Sequence, residues 1–188
     1  MTVIHESGMN FKFDDDNCFL IEQDDVAKRP NVKACECLAF IVAKNWYVFI
    51  EAKSSAPREK AYDLGKISYD GESIDKSWKI LTNFDNFIND ICQKFEDSFS
   101  AYHALRIGYH GNEAQKRIPS GCCGLTNANV RFMLIVNGLN EEYCQPINDA
   151  LKKRFRHFLN TWNIPDRSVK TLNADSARKN GILVSASN

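Results

Sequence analysis

The stretch Val32–Ser55 reads VKACECLAFIVAKNWYVFIEAKSS, and its reading decides the fold. Two β-rich runs, Val32–Ala43 and Trp46–Ser54, are separated only by Lys44-Asn45, the pattern of an antiparallel hairpin. Side chains alternate between faces along a strand. Glu36 therefore shares a face with Leu38, Phe40 and Val42, and Glu51 with Tyr47, Phe49 and Lys53. A two-residue turn at Lys44-Asn45 would set residue 38 opposite 51 and residue 36 opposite 53. Opposed residues point the same way, so Glu36, Glu51 and Lys53 are expected on one face, at the hairpin end far from the turn. The expectation depends on parity, because a slip of one residue would send Glu36 to the other face.

Outward from this hairpin, Asn10–Phe13 and Cys18–Gln23 read as short strands, with a turn at Asp14–Asn17 and a loop over Asp24–Asn31. Beyond Pro57 the chain is polar, with a turn at Ser68–Glu72. Ile74, Trp78, Leu81, Phe84, Ile88, Ile91, Phe95, Phe99 and Tyr102 then recur in steps of three and four, which predicts a long amphipathic helix. His110–Asn129, with Gly111, Pro119, Gly121 and Gly124, reads as a long loop. Asn129–Val136 is a further strand, and its unbroken apolar run suits a position covered on both faces. A second helix is expected over Glu141–Trp162, stopped by Pro165, then a short strand at Ser168–Leu172 and a fraying polar tail from Asp175 to Asn188. Strands, helix, strand, helix, strand is the order of an α/β fold. Its sheet is mixed: an antiparallel hairpin, then Val130–Val136 added parallel to Trp46–Ser54 by a helical crossover, with helices flanking. The whole chain, 1–188, is expected to form one domain with its core over about 18–172.

Composition narrows the function. Twenty-four Lys and Arg balance twenty-four Asp and Glu, so the chain is no histone-like protein coating nucleic acid by bulk charge. The seven cysteines stand at C-x-C and CC spacings rather than the C-x(2–4)-C of zinc sites. They read as free thiols of a reducing compartment, which predicts a cytoplasmic protein. No apolar stretch approaches the ~20 residues of a membrane span. The opening MTVIHESGMNFKFDDD lacks the basic-then-apolar order of a signal peptide. No phosphate-binding GxxxxGK(S/T) or GxGxxG run is present, and the four histidines show no metal-binding spacing.

Chemistry concentrates on the hairpin end. Two carboxylates and the Ala52 carbonyl are hard oxygen ligands suited to Mg2+ or Mn2+. A lysine ammonium beside such an ion could orient or help deprotonate a water and neutralise charge developing on a phosphate. An exposed strand end carrying a cross-strand salt bridge would also explain Glu36, Glu51 and Lys53. Arg58, Lys60 and Lys66 follow the strand and would lie near its mouth as nucleic-acid backbone contacts. The Lys152-Lys153-Arg154-Arg156 cluster reads either as a solvated helix face or as phosphate contacts, and Glu22, Asp24 and Asp25 as a solvated acidic loop.

The stretch Glu36–Val42, a turn, then Val48–Ser55 with Glu51-Ala52-Lys53, resembles the PD-(D/E)xK nuclease superfamily. The resemblance implies a restriction-endonuclease-like fold and a Mg2+-dependent phosphodiesterase that cleaves nucleic acid, most often DNA. It places Glu36 in the first acidic position and Glu51 and Lys53 in the second half-motif. Glu36, Glu51 and the Ala52 carbonyl would then be the metal ligands. Cys35 stands where Pro is usual, and Glu36 where Asp is commoner. The front helix, which often supplies a further acid, is not evident; Glu6 and Glu22 are the available substitutes. A second reading is a non-catalytic member of the same fold, a binding or scaffold subunit that offers its long helix and glycine-rich loop to a homodimer or protein partner.

Overall fold

A computed structural model of the chain describes residues 1–57 and 74–183, with residues 74–82 described as backbone only. Arg58, Lys60 and Lys66 lie outside the described residues. The strands are β1 (Thr2–Glu6), β2 (Met9–Phe13), β3 (Cys18–Phe19), β4 (Cys37–Ile41), β5 (Trp46–Lys53), β6 (Val130–Val136) and β7 (Val169–Asn173). The helices are α1 (Ile74–Arg106), α2 (Asn112–Gln115), α3 (Glu141–Thr161) and α4 (Ala174–Lys179). A five-stranded mixed sheet runs in the order β3-β4-β5-β6-β7, and β1 and β2 form a separate antiparallel hairpin. β3, β4 and β5 are antiparallel neighbours, while β6 and β7 continue the sheet in parallel. Among the described residues no helix is long and apolar enough to cross a membrane.

Each sheet face has its own apolar layer, as alternation along the strands requires. On one face Leu38, Phe49, Phe132 and Leu134 pack against Phe95 and Phe99 of α1 and Leu151 and Phe155 of α3. On the other, Ala39, Val48, Ile50 and Ile135 meet Phe11 and Phe13 of the hairpin and Ala174 and Ala177 of α4. Phe132 is the hub of the first layer: its ring centroid lies 5.0 Å from Phe155, 5.4 Å from Phe95 and 5.4 Å from Phe49.

The structure departs from the sequence expectations at four places. β4 is shorter than the run Val32–Ala43. Its first half is drawn off the sheet onto α1, where the Lys33 and Cys35 amides donate to Asp97 Oδ2 (2.9 Å) and to Ser98 Oγ (2.8 Å). The hairpin turn takes four residues rather than two: Val42–Lys44 make a 3-10 turn, and Asn45 closes it at φ 51°, ψ 45°. Asn is among the few residues that visit this left-handed region readily. The tail does not fray from 175. The Asn173 side chain caps α4 by accepting from the Ser176 amide at 2.8 Å, and Ala177 and Ile182 are buried in the second layer. Residues 184–188 lie outside the described residues. Finally, the loop after α1 is built rather than open. It holds α2 and a 3-10 turn at Ser120–Gly124, and Tyr102 Oη donates to the Cys122 carbonyl at 2.7 Å. Gly121 is required there, because a Cβ would collide with Asn17 and the Asp16 backbone.

Truncating the aromatic hub tests this packing. Phe132→Ala is expected to lower the unfolding free energy by about 3–5 kcal/mol. Chemical denaturation with an unchanged m-value measures it. A loss under about 1 kcal/mol would show that the ring is not packed as described.

Candidate active site

The four-residue turn shifts the hairpin register by two, so that Cys37 pairs with Ile50 and Leu38 with Phe49. A shift of two preserves which face each side chain takes. Continuing that register sets Glu36 level with Glu51 instead of Lys53, and the Glu36 amide donates to the Ile50 carbonyl at 3.0 Å. Glu36, Glu51 and Lys53 therefore lie on the α1 side of the sheet.

Glu51 is the centre of the group. It is fully buried, yet Oε1 lies 2.8 Å from Lys53 Nζ and 2.8 Å from Lys94 Nζ, Lys94 projecting from α1. Both ammoniums approach as ion contacts off the oxygen's hydrogen-bonding directions, so neither carboxylate oxygen has a hydrogen-bond partner. Burial raises the Glu51 carboxyl above its ordinary range, with Lys94 and Lys53 opposing. Burial works to depress the Lys94 ammonium, but the attraction of Glu51, reinforced by Glu36 and Glu22, leaves it raised.

Glu36 is 7% exposed and carries the second carboxyl. Burial first, then repulsion from Glu51 and a hydrogen bond with Glu22, push it up to about 8. Near neutral pH it therefore holds its proton within the hydrogen bond to Glu22. Glu22 comes from a 3-10 turn at Ile21–Gln23, before the hairpin, and that turn is itself anchored. Asp24, one residue past it, is buried and receives two hydrogen bonds from Arg117, at 2.8 Å and 3.0 Å. The acidic run is thus solvated in part, as expected from sequence, with Glu22 and Asp25 exposed and Asp24 alone buried. Glu22 faces the site and Asp24 pins it, because buried charge demands a partner. Glu6 is engaged elsewhere, accepting from the Ser7 amide and hydroxyl.

The Ala52 carbonyl, a candidate ligand, accepts from Ser7 Oγ at 3.2 Å, which leaves its second lone pair. Ser7 sits at the tip of the β1–β2 hairpin. Asn137, just past β6, donates its amide N–H to the Lys53 carbonyl at 2.8 Å and its side chain to the Ser7 carbonyl at 3.1 Å. The end of β5 is thereby held from both sides.

Among the described residues no group of three or more His, Cys, Asp or Glu side chains is arranged to hold a metal ion. What the site offers a cation is the pair Glu36 and Glu51, the Ala52 carbonyl, and the unpartnered oxygens of a buried carboxylate. This donor set fits Mg2+, which commonly takes one or two carboxylates and completes its shell with water and phosphate. Lys94 was missed by sequence reasoning. The signal available was a cation flanked by Ile91, Phe95 and Ser98 on the apolar side of α1, where a charge requires a partner across the interface.

The folded protein binds the Glu36 proton more tightly than the unfolded chain does. The contribution of Glu36 to stability is therefore fully present below the ordinary value of 4.5 and is lost as pH rises towards about 8. Glu36→Gln is expected to raise the Tm of the metal-free protein at pH 8, with the gain shrinking towards pH 4.5. Thermal melts at the two pH values read this. An equal shift at both would mean that Glu36 titrates as an ordinary surface carboxyl. No family model matches the chain, and neither does any curated protein or solved structure, so the functional reading rests on the geometry of Glu22, Glu36, Glu51, Lys53 and Lys94.

Proposed function

We propose that this chain is a Mg2+- or Mn2+-dependent nuclease of the PD-(D/E)xK kind, with a restriction-endonuclease-like fold, hydrolysing phosphodiester bonds of nucleic acid, DNA foremost. The observation that carries the reading is a buried carboxylate held 2.8 Å from each of two ammoniums, with a second buried carboxyl level with it on the next strand. Glu36, Glu51 and the Ala52 carbonyl would hold the ion. Its chemistry when bound is to lower the pKa of a coordinated water and to offset phosphate charge. Lys53, half-exposed at the end of β5, orients the attacking water and stabilises charge on the phosphoryl oxygens. Lys94, less exposed, keeps Glu51 ionised when Lys53 turns to the phosphate. On becoming a ligand Glu36 would release its proton to solvent and give up its hydrogen bond with Glu22.

One observation favours a second reading. Two lysines already offset Glu51, so the same group could serve as a structural ion cluster in a non-catalytic binding or scaffold subunit.

The test is incubation of wild type and Lys53→Ala with plasmid, duplex and single-stranded substrates in Mn2+. Wild type should cleave, and Lys53→Ala should lose about a hundredfold or more in rate. Adding Mn2+ should also raise the Tm of wild type and not that of Glu51→Ala. Equal cleavage by wild type and Lys53→Ala would reveal a contaminating activity and sink the catalytic reading. A melting temperature indifferent to metal, with no cleavage, would favour the scaffold.

A further inference from the structure

An open groove is walled by segments that lead, along the chain, into the charge cluster. Asn31 and Lys33 precede Glu36, Ser55 follows Lys53, and the stretch of α1 ending at Gln93 adjoins Lys94. Asn83, Phe87, Asp90 and Lys94 are separated by steps of four, three and four, so they form one stripe along α1. At the helical rise of 1.5 Å per residue, that stripe leads about 16 Å along the groove to the ammonium that touches Glu51.

The lining is rich in amides. Asn83 and Asn86 are exposed along α1 and Asn31 lines the same groove, while Gln93 donates to Asp97 Oδ1 at 2.8 Å and Asn89 accepts from Arg154 at 2.6 Å. The charges of Lys33 and Asp90 offset each other in a 2.7 Å ion pair. Phe87 is half-buried, and its ring borders the groove. Amide side chains both donate and accept, and so suit base edges and sugar hydroxyls better than phosphate, whose charge calls for cations.

Shape then selects the form of the ligand. Bases in a duplex are recessed, and proteins read them by inserting a helix or ribbon into the groove of the nucleic acid. A concave lining cannot make that insertion. The splayed bases of an unpaired strand can enter a concavity, stack on an aromatic ring and bond along their edges. We propose that this groove binds an unpaired nucleic-acid strand along α1, reading bases and sugars through its amides and delivering the adjoining phosphate to Lys94 and Lys53. The inference rests on the nuclease reading and names its substrate form.

Fluorescence anisotropy with the full-length chain in EDTA tests it, using short single-stranded DNA, single-stranded RNA and duplex DNA of one sequence. At least one single strand should bind about tenfold more tightly than the duplex, whichever binds better naming the strand. The double variant Asn83→Ala/Asn86→Ala should weaken that binding about tenfold with an unchanged circular-dichroism spectrum and Tm. Duplex binding as tight as that of either strand, or a double variant that binds strands as wild type does, overturns the groove assignment. Lys53-dependent cleavage in Mn2+ separates the two ideas. If cleavage is present while the double variant binds normally, the groove fails and the nuclease stands. If cleavage is absent while strand binding depends on Asn83 and Asn86, the nuclease fails and the groove stands.

Discussion

The interaction on which the rest of this site depends is the enclosure of one carboxylate, Glu51, between two ammoniums in a place closed to water. An isolated carboxylate there would have to take up a proton. Lys53 alone, on the same strand, shares only one sheet element with Glu51. Lys94 adds a contact from a different layer, so keeping Glu51 charged requires α1 to dock against β5 in one orientation. Packing and electrostatics therefore specify the same arrangement. Phe95 and Phe99 hold α1 on the sheet, and Lys94, flanking them, reaches the carboxylate.

The same helix explains how Glu36 arrives. The segment before β4 runs along α1, with Lys33 bonded to Asp90 and Asp97 and the Cys35 amide bonded to Ser98. Ser98 is one turn beyond Lys94, so a single helical stripe positions the cation and the backbone entering the acidic position. Opposite, Ser7 and Asn137 bond to the strand end that carries Lys53. The β1–β2 hairpin, joined by nothing but a short turn to the sheet, is tied to the site through these polar contacts and through Phe11 and Phe13 beneath them.

What was legible in the sequence followed from periodicity. Alternation set the faces of Glu36, Glu51 and Lys53, and spacing in threes and fours set both long helices. The register was wrong by two residues, since the left-handed conformation of Asn45 lengthens the turn, and this error left the face assignment intact because side chains repeat every second residue. Long-range polar partners were not legible. Lys94 is 43 residues beyond Glu51, and nothing local in α1 says which strand it meets. Glu22 looked like one acid in a solvated run, and only the bond between Asp24 and Arg117, from opposite ends of the chain's first two-thirds, turns it towards Glu36.

Charge balance links these residues into one unit. Glu22, Glu36 and Glu51 face Lys53 and Lys94, and the rise of Glu36 to about 8 eases the excess of three carboxyls over two ammoniums near neutral pH. Burial makes any mismatch expensive, so removing one member forces another to change its protonation or move towards water. On the proposed reading an external cation would take the place of the lysines beside Glu51, whose carboxylate the strand already holds in position. A surface salt bridge lacks that property: its partners are solvated already, and displacing one gains nothing. The burial of Glu51 is therefore what separates this group from a surface ion pair, and it arises from the strand position next to β6 as much as from the residues themselves.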